Sequence, residues 1–145
     1  MLKEILTGVT VNVAVTLIHL AATLLLIVLF PYFERVIRNN HTAHLVISLV
    51  VVNFILLNAH VVEVGIWAAV YLHLGLVEQA EDAFYSAFVN YTTLGYGDVV
   101  HTTPARLMSP MTAGSGIMMF GWSTALLIYV LQLHLPRLRR RDGER

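Results

Sequence analysis

His60 and Glu63 are of residue types that bind metal ions, and they lie three positions apart within a long apolar run. That spacing puts both side chains on one face of a helix, where such pairs build metal sites in helical bundles. A complete site needs further ligands, which only His19 and His73 offer. The alternative, which we favour, is that the pair makes hydrogen bonds between helices.

The other residues that could do chemistry are Thr-Leu-Gly-Tyr-Gly-Asp at positions 93–98. The stretch before them is predicted to be a short helix, because Glu81 and Asp82 stand at its start, where carboxylates favour the helix dipole. A single Gly-x-Gly would indicate no more than a turn between two helices. Six residues of this pattern, placed between two long apolar runs, point to a more specialised segment.

Residues 93–97 resemble the T-V-G-Y-G filter of tetrameric potassium channels, with leucine in place of valine. In that family four strands aim backbone carbonyls at one axis, and glycine permits the dihedral angles that this requires. The resemblance implies that Thr93, Leu94, Gly95 and Tyr96 bind potassium and that Gly97 completes the filter. It also implies that Tyr85, Thr92 and Asp98 support the filter, that Tyr96 braces it, and that the chain forms a homotetramer.

Residues 116–125 resemble the inner helix of the same family. The resemblance implies that Gly116 is a bend point, with Gly121 as a second candidate. Close helix packing is the other role that small residues have in membranes. The side chains that would face the cavity below the filter are Ile117, Phe120, Thr124 and Ile128.

Three positions depart from the family pattern. Val89 stands where some relatives place a glutamate that shares a proton with the aspartate after the filter, here Asp98. Ser86 replaces an aromatic residue that often braces the filter tyrosine, and Leu94 replaces the filter valine. These departures keep open a weakly selective cation channel.

Composition supports a membrane protein. Of the 145 residues, 57% are hydrophobic and 12% are charged, whereas a soluble domain carries about 25% charged residues. The composition therefore excludes disorder and disfavours a soluble enzyme. A net charge of zero gives no support for a nucleic-acid partner, and the absence of cysteine excludes disulfides and thiolate metal sites.

The elements that must position these residues are three apolar runs, each long enough to cross a bilayer. They cover residues 8–30, ending at Pro31, then 45–76, and then 108–136, the last preceded by a predicted helix start at Thr103 and Pro104. The segment between the second and third runs is too short and polar to span. We expect an all-α membrane protein with three transmembrane helices and a re-entrant pore helix.

Seven of the nine basic residues fall on one side of these spans. The positive-inside rule makes that side cytoplasmic and places the N-terminus outside, in a plasma membrane of the bacterial inner-membrane type. We divide the chain into a first helix with its loop (1–40), a pore domain (41–136) and a basic tail (137–145). The tail arginines anchor the topology and suit anionic lipid headgroups; they are Arg137, Arg139, Arg140 and Arg141.

Taken together, the sequence predicts a potassium channel with no catalytic residues and no cofactor other than the permeant ion. The alternatives are the weakly selective channel, a membrane metalloprotein built on the histidines and Glu63, and a non-conducting partner subunit. Polar residues recur on one face of the first run, and others on one face of the second. A polar stripe facing lipid is costly, so we expect the two helices to pack together with His19 bonded to Asn58, His60 or Glu63.

Overall fold

A computed structural model of the chain describes residues 1–36, 41–99 and 105–142, and within them all regular structure is helical. The four helices are α1 (Leu2–Val36), α2 (His41–His73), α3 (Ala80–Tyr91) and α4 (Met108–Asp142). Three of them contain apolar stretches long enough to cross a membrane, namely Leu2–Leu29, Ala43–His73 and Met108–Leu133. The expectation of an all-α membrane protein with three spanning helices and one short helix is confirmed.

Two prolines that end apolar runs lie inside helices that continue beyond those runs. Helix α1 runs through Pro31 to Val36, and α4 runs past Pro136 to Asp142. A proline removes one helical hydrogen bond and strains the preceding turn. A long helix can continue past such a turn because its other hydrogen bonds remain. Thr103 and Pro104, the predicted start of the third helix, lie outside the described residues.

Helix α2 ends three residues before Leu76, where we expected the second run to end, because Gly75 turns the chain. Gly75 has a φ of 64°. Its N–H donates to the carbonyl of Leu72 at 3.0 Å, and the N–H of Leu76 donates to the carbonyl of Tyr71 at 2.9 Å. This pair of bonds is the Schellman arrangement that caps a helix carboxyl end. It directs the buried Leu76 and Val77 back into the core, ahead of α3.

Helix α3 packs against both α2 and α4, and α1 packs against the same two helices. The small residues Ala83 and Ala87 are fully buried on α3 and let it approach its neighbours closely. Its last residue, Tyr91, is buried against Gly116 of α4 and hydrogen-bonded to Glu63 of α2. Since both partners lie well inside spanning segments, α3 enters the membrane-depth part of the molecule and ends there.

Candidate functional site

The backbone of residues 93–97, here called the 93–97 segment, has an alternating conformation. Thr93, Gly95 and Gly97 have positive φ angles of 66°, 57° and 70°. Among the described residues, Thr93 is the only one other than glycine with a positive φ. A left-handed residue at every second position rotates successive peptide planes so that their carbonyls can face one side, which an ordinary strand does not do.

The 93–97 segment begins directly on the carboxyl end of α3. The N–H groups of Leu94 and Gly95 donate to the Val89 carbonyl at 3.0 and 3.3 Å, and that of Thr93 donates to the Asn90 carbonyl at 2.9 Å. The Thr92 hydroxyl turns back to donate to the Phe88 carbonyl at 2.9 Å. These bonds satisfy carbonyls that a helix end otherwise leaves unpaired, so α3 fixes the conformation of the segment.

Asp98 follows the segment and has a partner on α3. The Tyr85 hydroxyl donates to its Oδ2 atom at 2.6 Å. This bond to a carboxylate raises the pKa of Tyr85, so the phenol keeps its proton and remains a donor at physiological pH. With valine at position 89, the tyrosine supplies the link between α3 and Asp98.

A cavity of about 230 Å³ lies between the 93–97 segment, α3 and the start of α4. Both departures from the family pattern on α3, Ser86 and Val89, line it, together with Asp98 and both glycines. Tyr96 is 66% exposed and Leu94 is 56% exposed within one chain. Both side chains are therefore largely uncovered within one chain, and the bracing role of Tyr96 stays a prediction.

Asn90 is a residue of this site that the sequence reasoning missed. Its amide donates to the Tyr71 hydroxyl at 3.0 Å and to the Ser109 hydroxyl at 3.2 Å. The Tyr71 hydroxyl also lies 2.9 Å from that of Thr112. The signal in the sequence was an amide side chain near the end of a short helix. Such a helix end must be buried, and a buried polar group needs hydrogen-bond partners. These bonds tie α3 to α2 and α4.

On the other side of α3, five side chains form a closed ring of contacts, which we call the Glu63 ring. Tyr91 donates to Glu63 Oε2 and lies 3.0 Å from His60 Nδ1. His60 Nε2 is 2.9 Å from Ser123 Oγ, which is 3.3 Å from His19 Nε2. His19 Nδ1 closes the ring at 2.8 Å from Glu63 Oε1. The structure thus brings His19, His60 and Glu63 together, with all four helices contributing.

The predicted inner-helix residues have different surroundings. A Cβ on Gly116 would overlap the Tyr91 carbonyl, whereas Gly121 has open space around it. Ile117 is 61% exposed and Ile128 is 49% exposed. Phe120 is partly enclosed, because its ring packs on those of His60 and Tyr91 at 4.7 and 5.5 Å. Gly116 is therefore a close-packing position, while Ile117 and Ile128 lie on an open face.

Comparison with protein families finds a match. A family model described as "Ion channel" matches residues 59–132, just over half of the chain. The matched region begins in α2, includes α3 and the 93–97 segment, and ends in α4. No curated protein and no solved structure matches. The residues of α1 lie outside the matched region.

Proposed function

Because the chain belongs to this ion channel family, as a pore domain of the potassium channel superfamily in a multi-pass membrane protein, we propose that it conducts potassium selectively. The observation that carries the proposal is the alternation of positive φ at Thr93, Gly95 and Gly97. A dehydrated potassium ion needs several carbonyl oxygens in place of its water, and this backbone suits such a row of oxygens.

A single chain supplies one wall of such a filter, so the proposal includes a homotetramer. Irregular backbone at membrane depth is tolerated where protein buries it or where it lines water. The exposure of Leu94 and Tyr96 within one chain supports contacts with neighbouring chains. In the tetramer, Tyr96 packs against the pore helix of the adjacent subunit, and the open face of α4 with Ile117 and Ile128 lines the central cavity.

The fold gives this filter a firm frame. Asn90 bonds α3 to Tyr71 and Ser109, and Tyr91 bonds it to Glu63, so both sides of the helix end are held. Tyr85 ties the far end of the filter to the same helix through Asp98. A filter that keeps its width favours the ion whose size matches the carbonyl spacing.

The orientation belongs to the same proposal. The arginine-rich carboxyl end of α4 and the loop between α1 and α2 face the cytoplasm, which places the filter at the outer side of the membrane. Potassium leaving the cell then passes through the central cavity first and through the filter last.

A weakly selective cation channel is the second candidate, and one observation favours it. The cavity behind the filter is lined by Val89 and Ser86, so neither a carboxylate nor an aromatic ring at these positions braces the filter there. A filter with more freedom to widen discriminates less strictly between potassium and sodium.

Reversal potentials decide between these candidates. The purified protein is placed in planar bilayers with potassium on one side and sodium on the other. A reversal potential far from zero, of the sign that potassium permeation gives, supports the first proposal, and a value near zero supports the second. Protein that assembles in the bilayer but passes neither ion contradicts both.

A further inference from the structure

The hydrogen bonds of the Glu63 ring need one more positive charge than its five side chains carry when Glu63 is ionised. Five of its contacts each need one hydrogen, and the sixth, from His60 Nδ1 to Glu63 Oε2 at 3.3 Å, shares the hydrogen on that nitrogen. An ionised Glu63 brings none, while Tyr91, Ser123 and two neutral imidazoles bring one each, which makes four. Glu63 and His19 are fully buried, so a missing donor there is not supplied by bulk water. A buried carboxylate at membrane depth also requires a compensating charge. The ring must therefore hold one more cation, which is either a proton or a metal ion.

The geometry of the two histidines favours a metal. Both Nδ1 atoms face the Glu63 carboxylate, at 2.8 Å for His19 and 3.3 Å for His60. Both Nε2 atoms meet at a single atom, Ser123 Oγ. With a metal on the Nδ1 side, each Nε2 carries a hydrogen and donates to one lone pair of that oxygen. Outer hydrogen-bond partners of this kind fix the ring orientation of metal-bound histidines.

We propose that His19, His60 and Glu63 form a binding site for a divalent transition metal of the zinc class. One ligand atom from each of the three lies within 4.8 Å of the others. Ligands around tetrahedral zinc, with bonds of about 2.0–2.2 Å, lie roughly 3.3 Å apart, so small side-chain rotations complete the site. The fourth position is open to a water, while the Tyr91 hydroxyl keeps its hydrogen bond to Glu63 Oε2 and orients that carboxylate.

The ligand set also selects the class of metal. Two imidazoles with one carboxylate suit zinc and cobalt, whereas magnesium and calcium prefer oxygen ligands alone. His60 is 12% exposed while His19 and Glu63 are fully buried, so the ion enters on the His60 side. Once bound, it joins α1, which lies outside the matched family region, to α2 of the pore domain. Tyr91, hydrogen-bonded to Glu63, extends this link to α3, which precedes the 93–97 segment.

The test measures metal binding directly and does not depend on ion conduction. The full chain is purified in detergent, stripped with a chelator, and titrated with cobalt and then zinc. We expect about one ion per chain, cobalt absorption bands typical of a four-coordinate site, and a melting temperature that rises with the metal. Glu63→Gln, which keeps the side-chain volume, abolishes this binding. Ser123→Ala weakens binding about 10- to 100-fold, the usual effect of losing an outer partner.

The matched control is His73→Ala, which removes an exposed histidine at the end of α2, the helix that carries Glu63. This variant must bind metal like the wild type. If Glu63→Gln does not fold, the affinity of Ser123→Ala carries the test. The proposal is overturned if stripped wild type binds no ion, or if His73→Ala loses as much binding as Ser123→Ala. It is also overturned if stability follows pH but not added metal, because the ring is then completed by a proton.

Discussion

At the scale of single residues, the alternating backbone conformation of the 93–97 segment depends on Gly95 and Gly97. No atom lies within 4 Å of a Cβ built at either position, so an added methyl group meets no obstacle within the chain. The cost of alanine there is conformational, about 1–2 kcal/mol for a left-handed residue. We expect Gly95→Ala and Gly97→Ala to fold and assemble but to lose discrimination between potassium and sodium, measured as reversal potentials. Unchanged selectivity in both variants would contradict the assignment of the filter.

Single residues also mark where sequence reasoning stops. Gly95 and Gly97 indicate positive φ because glycine tolerates it, and the structure agrees. Thr93 adopts the same region, although its branched side chain disfavours it, so this position could not be found from residue type. The bond from Tyr85 to Asp98 joins residues 13 positions apart, and its pairing depends on how the segment folds back over α3.

At the scale of elements, apolar length predicted the three spanning helices, while local signals placed their ends poorly. Pro31 and Pro136 end the apolar runs, yet α1 and α4 continue past them. Gly75 does stop one, because its left-handed conformation lets two carbonyls of α2 find donors. The polar stripes indicated which faces of α1 and α2 meet. They did not reveal that Ser123 of α4 and Tyr91 of α3 join the same cluster, because that requires the packing of all four helices.

Close packing and bending of α4 are the two roles considered for Gly116, and a substitution there distinguishes them. A Cβ there would overlap the Tyr91 carbonyl, so alanine must push α4 away from the end of α3. Overpacking of this kind costs about 1–3 kcal/mol. We expect Gly116→Ala to lower the melting temperature of the purified protein and to disturb the filter that α3 carries.

The controls are Gly114→Ala and Gly121→Ala on the same helix. Both positions have open space within the chain, and alanine favours a helix over glycine by about 1 kcal/mol. They should melt at or above the wild-type temperature. If Gly116→Ala is as stable as these controls but opens less often in single-channel records, then bending rather than packing is the role of Gly116.

At the scale of the whole molecule, the exposed aromatic residues of α3 predict how the chains assemble. Phe84, Tyr85 and Phe88 are 39%, 41% and 42% exposed within one chain, and Tyr96 beside them is 66% exposed. A cluster of large apolar side chains next to the proposed filter marks a surface that a partner covers. In the proposed tetramer, neighbouring subunits that bury this cluster also enclose the irregular backbone of residues 93–97, which cannot face lipid.

We therefore expect Phe88→Ser to weaken the assembly, because loss of a buried phenylalanine costs about 3–5 kcal/mol at each contact. Light scattering of wild-type protein, corrected for detergent, should give four times the 16.2 kDa mass of one chain. The variant should shift toward the mass of a single chain. Phe54→Ser is the matched control, since Phe54 is 65% exposed on α2, away from the filter, and this variant should remain a tetramer. A wild-type mass of one chain, or equal behaviour of the two variants, would show that this aromatic face does not build the pore.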